Sequence, residues 1–140
     1  MKTLKSIVLA LSLLVIAGAA NATETPVALT KNYAINTYID AITRGKIDGV
    51  NNVLDQNVKF TTVHGKKVLT YNKKDIMDNI NFNKNVEMEC TTSTSTVENT
   101  PDYVLIKVDM KFDNSTRCNY VTMVNTTGGW KITNVYSVVK

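Results

Sequence analysis

At Val86 the chain changes its rhythm. Val86, Met88 and Cys90 alternate with Glu87, Glu89 and Thr91, and further on Val104, Ile106, Val108, Met110 and Phe112 form the cleanest apolar face in the sequence. A period of two sends successive side chains to opposite faces of an extended chain, so this half predicts half-buried strands. Thr91 to Thr96 is rich in serine and threonine, yet the alternation runs on through Val97 and threonine suits a strand, so it reads as strand and not linker. Turn residues at Asn99–Asp102, Asp113–Thr116 and Thr126–Gly129 divide the half into four strands of an antiparallel meander, the last from Trp130 to Val139.

The half before it has a different period. Leu29, Tyr33, Ile35, Tyr38, Ile39 and Ile42 form a helical stripe, opened by Thr25-Pro26 and closed by Arg44-Gly45, which predicts an amphipathic helix of about five turns. Asp48 is placed to cap a short second helix carrying Val50, Val53 and Leu54. "NVKFTTV", a turn at His64-Gly65 and "KKVLTY" then read as a hairpin. Asn72 caps a third helix, with Asp75 three residues on and Ile76, Met77 and Ile80 facing inward. Helices segregated from an antiparallel sheet define an α+β domain.

The first 22 residues read as a signal for export. Lys2 and Lys5 precede an apolar run from Ile7 to Ile16, and Ala20-Asn21-Ala22 is a small-x-small cleavage site. The run is too short to span a bilayer, so residues 1–22 are expected to be removed, leaving 23–140 as one secreted or periplasmic domain. Without the two signal lysines the formal charge falls from +4 to +2, which argues against nucleic acid and anionic membrane as partners. Lys66, Lys67, Lys73 and Lys74 form a local basic cluster that a solvated hairpin and helix start account for. Export also sets two readings of Cys90 and Cys118 against each other. An oxidising compartment favours a disulfide, whereas a meander puts a whole strand between them, roughly 9.5 Å, beyond the reach of about 7 Å that the bond allows.

This order of elements resembles the nuclear transport factor 2-like superfamily, through "YIDAITRGKIDGVNNVLDQNVKF", "NKKDIMDNI" and "GGWKITNVYSVV". It is most similar to the SnoaL-like branches, and among them to the small exported proteins named for lumazine binding. The resemblance implies a cone-shaped fold, three N-terminal helices packed on a curved antiparallel sheet around a cavity open at one end. In ketosteroid isomerases of this fold the general base lies late on the first strand, and here that place falls on or near Thr62, which cannot take a proton. Tyr33 and Tyr38 on the first helix, with Phe60, Tyr120, Met123, Trp130 and Tyr136, are the expected cavity lining, a largely aromatic set suited to binding. Asp40, on a helix flank, and His64, at a hairpin tip, are the only candidates for proton transfer. One histidine and two separated cysteines do not make a metal site, and no phosphate-cradling glycine loop or paired nucleophile is present, so no cofactor is expected.

Three readings follow. The first is a binding domain for a small apolar or aromatic molecule, without a catalytic constellation. The second is a SnoaL-like isomerase, cyclase or dehydratase using Asp40 or His64 with a tyrosine. The third is an interaction module, a homodimer through an outer sheet face bearing Tyr103, Leu105 and Val121, against which stands ordinary solvent exposure of that face.

Overall fold

The computed structural model describes residues 29–140; the export signal and the Thr25-Pro26 helix start lie outside them. Helix α1 spans Lys31–Arg44. Thr30 caps it, its hydroxyl accepting from the Tyr33 amide at 3.1 Å, and Leu29 precedes it in extended pairing with Gly129. Gly45 ends it at φ 62°. A side chain there would run into the backbone of Asn83 and Asn85, so only glycine lets the connection after the third helix cross the end of α1. Helix α2, Val50–Val53, starts from Gly49 and not from an Asp48 cap, and Leu54 already belongs to the next strand. Strands β1 (Leu54–His64) and β2 (Lys67–Tyr71) form the expected hairpin. Helix α3, Lys73–Phe82, carries a reciprocal capping box: the Asp75 amide donates to Asn72 at 3.0 Å and the Asn72 amide to Asp75 at 3.1 Å.

The meander follows as β3 (Thr91–Asn99), β4 (Tyr103–Lys111), β5 (Thr116–Thr126) and β6 (Gly129–Val139). Val86, Met88 and Cys90 do not belong to it. Asn85 takes a positive φ of 61° and the Met88 amide donates to the Thr43 carbonyl at 2.7 Å, so this stretch crosses the end of α1 instead of pairing with a strand. Its alternating residues have no sheet to face, and Val86 is 54% exposed.

All six strands form one sheet in the order β2-β1-β6-β5-β4-β3. The hairpin joins the meander through a parallel pairing of β1 with β6, where Phe60 meets Val135 and Thr62 meets Ser137. The sheet is therefore mixed, not wholly antiparallel. Its helix-side face carries the core: Val104, Val108, Val121, Met123, Ile132 and Val135 are all at most 2% exposed and pack with Ala34, Ile35 and Tyr38 of α1 and with Ile80 of α3. Each large buried side chain contributes about 1.5–3 kcal/mol through removal from water. Val121, expected on the outer face, is thus a core residue; Tyr103 and Leu105 do face outward, beside a Lys107–Asp109 ion pair at 3.2 Å.

Candidate functional site

The inner face of the sheet is set by one irregularity. Thr122 pairs with Asn134 and Met123 with Ile132, which leaves Thr133 as an extra residue in β6. Ile132 and Val135 therefore point to the same side although three positions apart. Beyond the bulge Tyr136 pairs with Tyr120, next to the buried Val121–Val135 pair. Neighbouring positions on a strand face opposite ways, so Tyr120 and Tyr136 lie on the outer face, away from the core. Of the expected lining, the structure brings together Tyr38, Phe60 and Met123. The rings of Tyr38 and Phe60 are 6.2 Å apart and inclined at 39°, and Met123 is fully buried in the same core cluster.

Further along the inner face a polar row crosses the sheet. Thr62 of β1 pairs with Ser137 of β6, and Ser137 with Asn119 of β5. Ser137 and Asn119 are buried, and Asn119 spends a side-chain N–H on the sulfur of Met110 at 3.5 Å, a weak acceptor. The next inward position on β5 is Arg117, between Met110 and Val139. Tyr38 projects from α1 into this region. Burial holds its phenol far above the ordinary value of 10.0, with the Arg117 guanidinium pulling the other way, so it is a neutral hydroxyl at physiological pH. A phenol, an amide and two aliphatic hydroxyls can donate and accept hydrogen bonds around a polar ring edge, with the guanidinium, a donor only, beyond them at the end of the strand. No inward position of the six strands holds an aspartate or glutamate. Asn119, Ser137 and Arg117 went unnoticed in the sequence. The signal was there in β5, where Arg117 and Asn119 break the apolar stripe that Val121 and Met123 continue.

The remaining candidates are scattered. Asp40 is held by Arg44 at 3.0 Å and Lys46 at 3.9 Å, and it shares with Tyr33 an open cleft of about 320 Å³ on the solvent side of α1. His64 ends β1, exposed, opposite Lys67. Trp130 faces inward at the other end of the sheet, where the Lys31 ammonium lies 4.9 Å from its ring centre in a cleft of about 410 Å³. The basic cluster has local partners: Lys73 donates to the Asn51 and Leu54 carbonyls, both at 2.9 Å, and Lys74 pairs with Asp78. A third cleft, about 530 Å³, opens beside these lysines. Among the described residues no three metal-binding side chains converge. Cys90 and Cys118 are free thiols; Cys118 is buried opposite Asp109, and Cys90 precedes β3, with β4 between the two.

Residues 30–137 match a protein family described as "Putative lumazine-binding". Among solved structures the chain is similar to an NTF-2 like protein of unknown function from Silicibacter pomeroyi, with TM-score 0.66 and 15% identity over 78% of this chain and 92% of that one. It is similar to an NTF2-like protein of unknown function from Methylobacillus flagellatus, with TM-score 0.64 and 15% identity over 78% and 88% of the two chains. A ketosteroid isomerase-like protein from Erwinia carotovora aligns with TM-score 0.59 and 11% identity over 84% and 97%. At such identities the likeness is one of fold. No curated protein sequence matches the chain.

Proposed function

The chain belongs to the "Putative lumazine-binding" family within the nuclear transport factor 2-like superfamily, and from that premise we propose that it is an exported domain binding a small heteroaromatic ring of the lumazine kind. The ring lies between α1 and the polar end of the inner face. Tyr38 and Phe60 supply aromatic surface, and Tyr38, Asn119, Ser137 and Thr62 meet the ring's carbonyl and N–H edge.

The observation that carries this reading is the row Thr62–Ser137–Asn119. Two buried polar side chains, Ser137 and Asn119, and the half-buried Thr62 stand in line on the apolar side of the sheet, a placement that suits a ligand with a polar edge. Their chemistry is that of neutral donors and acceptors, which suits recognition. Thr62 stands where an isomerase of this fold would hold its base, so the enzyme reading gains nothing from the row.

The experiment is a melting series on residues 23–140 with lumazine. Ligand at 100 times its dissociation constant adds about 2.7 kcal/mol, so the midpoint should rise, and Tyr38→Phe or Asn119→Leu should reduce the rise. A flat series with lumazine, pterin and riboflavin up to millimolar concentration would reject the proposal.

A further inference from the structure

We infer that the ligand of this inner-face site is an acid, a planar ring bearing a carboxylate, whose negative group is held by Arg117 at the rim. The inference rests on the binding reading above and adds the chemical class of the ligand.

The argument is one of charge placement. Along the inner face the last row at the end away from Trp130 runs Lys67, His64, Val139, Arg117, Met110 and Thr92 across β2, β1, β6, β5, β4 and β3, His64 following Val63, whose partner is Val138. Three of the six are basic residue types, and no inward strand position carries an acid to balance them. Arg117 takes part in none of the ion pairs among the described residues, whereas Arg44, Lys46, Lys74 and Lys107 all do. Glu87 and Glu89 sit exposed on the connection that leads into β3, and Glu98 within it is paired with the outward-facing Leu105; none of them pairs with Arg117. Arg117 is also two positions from Asn119 on the same strand face, so one ligand can span both. A guanidinium is planar, always charged and weakly hydrated, and its paired N–H groups match the two oxygens of a carboxylate. His64 stands two strands from Arg117, roughly 9.5 Å at the usual spacing, and adds donor capacity on the same row, where both side chains are exposed.

The test compares pterin-6-carboxylate with its uncharged parent pterin by titration calorimetry on residues 23–140. In the unaltered protein the acid is expected to bind at least about tenfold more tightly than the parent, the scale of a hydrogen bond to a charged group. Arg117→Met should abolish that ratio while leaving parent binding within about twofold, and Arg117→Lys should restore part of it. Raising salt to 1 M should weaken the acid alone. Equal binding of acid and parent, or a ratio that survives Arg117→Met, would overturn the inference and leave the binding proposal standing. Binding of neither compound to the unaltered protein would overturn both. A melting curve of each variant separates loss of binding from loss of fold.

Discussion

The two ends of the inner sheet face are built on opposite principles. At one end the main chain does the closing: the Trp130 amide donates to the Leu29 carbonyl at 2.8 Å, Leu29 pairs with Gly129, and Lys31 covers the indole while bonding Asn99 at 3.0 Å. Gly129 holds φ 96° there, and a side chain on it would lie 2.4 Å from the Leu29 nitrogen. At the other end polar side chains occupy inward positions: Asn119 donates to the sulfur of Met110, and Arg117 takes part in no ion pair among the described residues. Residues that break the local pattern without a structural gain mark sites kept for another purpose. On the reading proposed above, one end stabilises the fold and the other serves recognition.

That contrast can be broken most severely at Ile132, wholly buried toward the closed end. Ile132→Ala should cost about 2–5 kcal/mol, read as a shift of the urea midpoint, and a cost below 1 kcal/mol would mean the packing there is loose. Next comes pH. Because burial raises the Tyr38 phenol above its ordinary 10.0, the unfolded chain releases a proton above that pH which the folded chain retains. Stability contributed by the neutral phenol is intact below pH 10.0 and lost as pH rises beyond it, by up to about 1.4 kcal/mol per unit. Tyr38→Phe should flatten that part of the alkaline stability curve, and matching curves for the two proteins would contradict the burial. Lys31→Ala, at the closed end, should remove about 0.5–1 kcal/mol with the cation–π contact, measurable by the same unfolding. The smallest effect is expected at the polar end, where Asn119→Leu should change stability by less than about 1 kcal/mol in either direction while reducing the ligand-induced rise in melting temperature. A large loss of stability there would make Asn119 a structural residue and erase the distinction between the ends.

Local chemistry made much of the fold legible. The Asn72–Asp75 box, the stripe of α1 from Tyr33 to Ile42 and the turn residues between β3 and β6 each act within a few positions and appear where the sequence puts them, whereas Leu29, expected in the helix, is drawn into extended pairing with Gly129 and the helix starts after Thr30. What escaped depends on contacts far apart in the chain. Val86 to Cys90 alternate like a strand, but a carbonyl at Thr43 claims the Met88 amide. The parallel join of β1 to β6 has no local signature. The face of Tyr136 was misjudged because simple alternation from Ile132 runs through Thr133, and an inserted residue reverses the face of everything beyond it. The site shared that fate: Thr62 could be singled out from its place late on the first strand, but only the cross-strand register shows that Ser137 and Asn119 stand beside it.

The extra residue at Thr133 has a consequence for how such a chain can diversify. It uncouples the turn-proximal portion of β6, which carries Trp130 and Ile132, from the distal portion, which carries Ser137. Point changes in either stretch leave the other's orientation alone. A single-codon deletion at this spot would instead rotate the turn-proximal stretch by half a turn and offer Lys131 to the hydrophobic interior, so lineages sharing this architecture should tolerate exchanges along the strand far better than losses within it.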